Sequence, residues 1–165
     1  MGMTKIHSNL FIGGDADCDA CAINPEFAIV HACKTCHQQA LKYSGALPPT
    51  HPNYLIYEHG SHLYLNMVDM PNELLPKFTH PIFECAMGFI NREIKNKKVL
   101  IHCNFGVSRS PSLGLVYLAS TGVISNNSLE EAINEFEELY PKYAPGTGII
   151  LYMKHNWDFL MKKLL

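Results

Sequence analysis

The chain has 165 residues, 47% of them hydrophobic and 17% charged, with a formal net charge of −2. That length supports one domain, spanning 1–165, with a sizeable core, and it is short for two. The composition excludes a disordered chain, and the missing basic excess argues against nucleic-acid phosphates or anionic lipid as partners.

Met1-Gly2 reads as a cloning remnant before a natural start at Met3, and Ile6 occupies the position where myristoylation wants Ser or Thr. No apolar run can cross a membrane, and no secretory leader or prenylation cysteine is expected. Residues 9–12 predict a short strand stopped by Gly13-Gly14, followed by a short helix over 15–21 with carboxylates at its N-terminus. Residues 27–30 predict a buried strand running on toward Cys33. The Pro-rich stretch 45–52 reads as a surface loop. Residues 54–57 and 62–68 predict two further strands. A helix follows with Pro81 in its first turn, apolar residues 82, 86, 89, 90 and 94 on one face, and a solvated basic end at 95–98. Residues 99–101 form a wholly apolar strand suited to the middle of a sheet. Three helices complete the chain: one to Ala119, one from the capping box Ser128-Leu-Glu-Glu131 to about Tyr140, and one over 149–163 carrying Trp157. The pattern is α/β, a sheet packed between helices.

The chemistry concentrates where the strand 99–101 runs through His102-Cys103-Asn104-Phe105-Gly106-Val107-Ser108 into a helix starting at about Arg109 or Ser110. A loop so placed aims backbone N–H groups and a helix dipole at one point, which suits an anion. Cys103 stands at the rim of that site, where the same donors favour its thiolate, and Gly106 permits a tight wrap. Arg109 adds a planar fork able to grip two phosphate oxygens. Cys after a strand is commonly a small core residue, and Arg at a helix start is commonly a surface charge. Together with His102, Gly106 and Ser110, as His-Cys-x2-Gly-x2-Arg-Ser, they have a chance frequency below about one in a million positions at ordinary residue usage, which decides for function.

This run, His102-Cys103-x5-Arg109-Ser110, resembles the signature of the cysteine-dependent protein tyrosine phosphatase superfamily, and HCNFGVSRSP looks like its dual-specificity branch. Residues 10–14 and 128–140 resemble that branch more loosely. The resemblance implies a mostly parallel sheet flanked by helices and no cofactor. It implies Cys103 as nucleophile and Arg109 with the amides of Asn104, Phe105, Gly106, Val107 and Ser108 as phosphate ligands. Ser110 would hydrogen-bond the sulfur and His102 would brace the loop.

Such a mechanism needs a general acid. Of five Asp, at 15, 17, 19, 69 and 158, only Asp69 follows a strand on a loop that could overhang the site, stiffened by Pro71. It precedes Cys103 at a spacing similar to the family's, and Glu73 is the substitute candidate. The signature loop lacks the extra basic residues of the phosphoinositide branch, and no Tyr-containing recognition loop deepens the pocket. The expected substrates are therefore phosphoproteins or phosphopeptides, on tyrosine and also serine or threonine. One departure lies before the last helix, where Pro145-Gly146-Thr147-Gly148 replaces the Asn-containing turn common in relatives. The rival readings are an RNA 5′-triphosphatase with the same loop chemistry and a phosphate-binding module without turnover.

Cys18-x2-Cys21 and Cys33-x2-Cys36 imitate a zinc pattern. The segment between them reads as helix, turn and buried strand, so these thiols are expected in the core, with no metal bound. Structural zinc is the minority alternative, as is capture of an oxidised Cys103 by Cys33 or Cys85. A thiolate enzyme requires a reducing compartment, read as the cytoplasm of its own cell or of a host. The sequence carries no signal of oligomeric state.

Overall fold

The computed structural model describes residues 2–163. Strands β1 (Thr4–His7), β2 (Leu10–Gly13), β3 (Phe27–His31), β4 (Ile56–His59), β5 (His62–Leu65) and β6 (Lys98–His102) make one sheet in the order β1-β2-β6-β3-β5-β4. The inner ladders β2–β6, β6–β3 and β3–β5 are parallel, and the edge strands β1 and β4 join antiparallel. The α/β class and the mostly parallel sheet are as expected. β6 sits centrally with every residue after Lys98 buried, which is why it reads as an unbroken apolar run.

Among the described residues seven helices connect and cover the sheet: α1 (Asp15–Cys21), α2 (Lys34–Leu41), α3 (Pro76–Glu93), α4 (Arg109–Ser120), α5 (Leu129–Leu139), α6 (Thr147–His155) and α7 (Trp157–Lys163). Side-chain alternation along the strands divides the buried residues between two faces. Leu10, Ile12, Ala28, Val30, Leu63, Leu65, Val99 and Ile101 join the large core with α3 and α4. On the opposite face Phe27, Ile29 and Leu100 join Cys21 of α1 in a small apolar cluster, with half-buried Met3, Phe11 and Ala22 packed against it. Farther along that second face, toward the C-terminal ends of the strands, the same alternation presents His31, His62, Tyr64 and His102.

Three expectations need correction, and two elements carried none. α3 begins at Pro76, so Pro81 lies inside the helix; two prolines five residues apart each satisfy the first-turn rule, and the earlier one does so here. Of the basic run, Lys97 Nζ donates to Pro25 O at 3.1 Å and to Ser61 Oγ at 2.8 Å, while Lys98 opens β6. The terminal helix is broken at Asn156, whose Nδ2 donates to Tyr152 O at 2.8 Å and so competes with the helical ladder. β1 and α2 carry too little periodicity to be read from sequence.

α5 starts as its capping residues require: Glu131 N donates to Ser128 Oγ at 3.2 Å. The reciprocal arm of the box is diverted, since Glu131 Oε1 accepts from Ser125 Oγ at 3.2 Å and from Asn127 Nδ2 at 3.4 Å. Ser128→Ala should therefore cost about 0.5–2 kcal/mol of unfolding free energy with an unchanged denaturant slope, measurable by urea titration.

Candidate active site

The chain leaves β6 at Cys103 and re-enters regular structure at Arg109, the first residue of α4. Cys103 is buried, with Sγ 3.2 Å from Ser110 Oγ, and Ser110 Oγ in turn lies 3.3 Å from Gly13 O. Gly106 adopts φ +71°, and a Cβ there would stand 2.9 Å from Gly13 O, so both the conformation and the close approach require glycine. The loop's carbonyls are tied outward: Tyr140 Oη donates to Gly106 O at 2.6 Å and Ala144 N to Val107 O at 2.8 Å. Among the described residues no protein acceptor takes the amides of 104 to 109, which leaves them to an anion.

Arg109 is held by two of its guanidinium nitrogens. Nη1 donates to Met67 O at 3.0 Å and Nη2 to Asn104 Oδ1 at 2.7 Å. Nε stands 3.3 Å from Asp69 Oδ2, within ion-pair distance but at an angle that makes no hydrogen bond, so it is a buried donor without an acceptor. A cationic donor left open in a buried position is costly unless a ligand completes it. Asn104 has a second task that sequence reading missed: its side chain orients Arg109, and its Nδ2 is 3.1 Å from Asp15 Oδ2 and 3.4 Å from Thr35 Oγ1. Asp15, expected only as a helix-start residue, thus also supports the loop.

Asp69 is brought over the loop. Ser108 Oγ donates to Asp69 Oδ1 at 2.7 Å and accepts from Gly146 N at 2.9 Å. The Pro145–Gly148 turn, the departure noted above, holds this loop from the other side. Gly148 N donates to Met70 O at 2.9 Å and Leu74 N donates to Gly148 O at 3.2 Å. A Cβ on Gly148 would collide with the carbonyls of Met70 and Asn72, and one on Gly146 would come within 3.1 Å of Asp69 Oδ1. The two glycines are what lets the turn approach the Asp69 loop so closely. Glu73 is engaged elsewhere, 2.9 Å from His155 Nδ1 of α6.

His102 is fully buried behind Cys103, with Nδ1 3.4 Å from Cys103 O and 3.6 Å from Asp15 Oδ1. Its Nε2 lies 2.9 Å from His31 Nδ1, whose Nε2 lies 2.9 Å from His62 Nδ1. Burial, then the neighbouring His102 and His62, hold the His31 imidazole down at about 2, so it is neutral. Cys33 is buried at the start of α2, and Cys85 is half-buried on α3. A cavity of about 490 Å³ is lined by Lys34, Asn66, Met70, Leu75 and Phe78 among others.

A strand, a cysteine at its C-terminal end, an amide-lined loop and an arginine at the following helix set a thiol beside donors suited to an anion. The family described as "Dual specificity phosphatase, catalytic domain" matches residues 28–154, and the chain belongs to it. It is 33% identical over 101 residues to "Dual specificity protein phosphatase YVH1" of Plasmodium falciparum, covering 58% of this chain and 16% of that protein. It is 27% identical over 117 residues to "Tyrosine-protein phosphatase yvh1" of Schizosaccharomyces pombe, covering 70% and 33% respectively. The match thus spans a third or less of either relative's length. The fold is similar to the crystal structure of DUSP15, with a TM-score of 0.67 and 18% identity over 99% of this chain and 92% of that one.

Proposed function

We propose that this chain is a phosphatase that hydrolyses phosphomonoesters on proteins through a phosphocysteine intermediate, with no metal taking part in the chemical steps. The observation that carries the reading is the buried, unmatched Nε of Arg109 beside Cys103 on an amide-lined loop. A phosphoryl group there accepts from the amides of 104 to 109 and from the guanidinium edge. The Cys103 thiolate attacks phosphorus, and the leaving oxygen takes a proton from Asp69 as its bond to phosphorus breaks. In the second step Asp69 removes a proton from water, the water oxygen bonds to phosphorus, and the sulfur leaves as thiolate. The Ser110 hydroxyl, 3.2 Å from that sulfur, donates to it as charge returns. His102 and Asn104 act by position, the first on the loop and the second on Arg109.

Phosphotyrosine and phosphoserine or phosphothreonine proteins are the proposed substrates, consistent with family membership and with a loop that adds no cation beyond Arg109. Phe105, 81% exposed on the loop, offers an apolar rim to the residue carrying the phosphate. Among the described residues no helix is long and apolar enough to cross a membrane. We place the enzyme in a reducing compartment, the cytoplasm, because the nucleophile must stay a thiol. The test compares phosphotyrosine, phosphoserine and phosphothreonine peptides with 5′-triphosphorylated RNA by phosphate release. Turnover of at least one peptide, and little of the RNA, is expected. Preference for the RNA would reassign the substrate, and binding without turnover on every substrate would make the chain a phosphate-binding module.

A further inference from the structure

Behind the phosphate loop, on the sparsely apolar face of the sheet, four potential ligand atoms converge from four elements. Cys18 Sγ comes from α1, His31 Nδ1 from the end of β3, Cys36 Sγ from α2 and His102 Nε2 from the end of β6. All four lie within 4.8 Å of one another. We propose that Cys18, His31, Cys36 and His102 bind one structural zinc ion that fastens α1 and α2 to the base of the phosphate loop.

Tetrahedral zinc, with Zn–S about 2.3 Å and Zn–N about 2.0 Å, sets its ligands about 3.5 Å apart for S–N pairs and about 3.3 Å for N–N pairs. Cys18 Sγ is 3.6 Å from His31 Nδ1, Cys36 Sγ is 3.8 Å from His102 Nε2, and the two histidine nitrogens are 2.9 Å apart. Of these three pairs only the last must open, by a few tenths of an ångström, and every other pair lies within 4.8 Å. Two thiolates and two neutral imidazoles around a divalent cation carry no net charge, which suits a buried position.

The outer contacts fit as well. A ligating histidine normally donates its other N–H to a fixed acceptor. His31 Nε2 has His62 Nδ1 at 2.9 Å, and His102 Nδ1 has Cys103 O at 3.4 Å and the Asp15 carboxylate at 3.6 Å. On binding, the two thiol protons go to solvent. Each histidine keeps one proton, on Nε2 of His31 and on Nδ1 of His102.

The site uses one cysteine from each Cys-x2-Cys pair, joined by two histidines. Cys21 turns into the apolar cluster, and Cys33 sits at the start of α2. The need is also physical. The second sheet face has a small apolar cluster, so a metal bond between its two helices supplies cohesion that packing there does not.

Elemental analysis of the full chain, expressed with zinc and purified under reducing conditions, should find one zinc per molecule. Cobalt substitution should give the intense visible bands and thiolate charge-transfer absorption of a tetrahedral sulfur-nitrogen site. Both should be lost in Cys36→Ser and Cys18→Ser and kept in Cys21→Ser and Cys103→Ser, the last separating this site from a metal captured by the nucleophile. Should a variant fail to fold, mapping of alkylated thiols in the wild-type chain decides, with zinc expected to protect Cys18 and Cys36 selectively. Reduced wild-type protein that takes up no zinc or cobalt overturns the proposal. So do bound cobalt that persists in Cys36→Ser, metal lost from Cys103→Ser, and zinc that leaves Cys18 and Cys36 unprotected.

Discussion

Replacing Cys103 by Ser is expected to lower kcat for an aryl phosphate by a factor on the order of 10⁴–10⁶ while leaving the protein folded. The hydroxyl that results is a far weaker nucleophile than a thiolate, and no other cysteine or serine of the described chain is proposed to replace it. The substitution is nearly isosteric, and Ser110 Oγ, 3.2 Å from the present sulfur, still has an oxygen to bond. Arg109 and the loop amides are untouched, so the variant should bind a phosphopeptide about as well as the parent does. Phosphate release, thermal unfolding and calorimetric binding of the peptide check the three parts separately. Activity retained within tenfold would remove Cys103 from the chemistry; lost binding with intact folding would mean that the thiolate itself orders the loop.

The strand-loop-helix over 98–120 was legible because its signals are local: an unbroken apolar strand, one glycine at the point of closest approach, and an apolar helix. Arg109 and Cys103 lie within that single unit, so their meeting needed no knowledge of the rest of the fold. What stayed hidden depends on residues far apart in the chain. Asn104 looked like a contributor of backbone alone, and its grip on Arg109 emerges only when the loop is closed. The Pro145–Gly148 turn looked like a departure from the Asn-containing turn common in relatives. Its role depends on backbone approach: Gly146 meets Ser108 and Gly148 meets Met70, contacts made possible by missing side chains. The cysteine pairs were the hardest case. Spacing offered two Cys-x2-Cys pairs with His31 and His37 close by, whereas the sheet register sets His31 opposite His102 and brings one sulfur from each flanking helix to them. Histidines contributed by paired parallel strands leave no periodic trace in a single sequence.

Asp69→Asn should reduce kcat by about 10²–10⁴ on substrates with poor leaving groups, the range general-acid catalysis ordinarily supplies. The deficit should shrink as the leaving group becomes more acidic, because an oxygen that departs readily as an anion needs no proton. An Asn at this position keeps an oxygen for the Ser108 hydroxyl, which now donates to Asp69 Oδ1 at 2.7 Å, so the loop has reason to hold its place. The substitution does remove the carboxylate standing 3.3 Å from Arg109 Nε. That carboxylate competes with phosphate for the guanidinium, so KM should fall along with kcat, and the variant should hold substrate more tightly than it turns it over. Glu73→Gln is the counterpart, and it should cost little because Glu73 is engaged with His155 on the protein's surface. If the two variants behave in the opposite sense, Glu73 is the proton donor and the Asp69 carboxylate serves only to fill the arginine's open donor before substrate arrives. The split between kcat and KM separates these outcomes: a lost proton donor lowers kcat steeply, whereas a lost placeholder lowers KM alone.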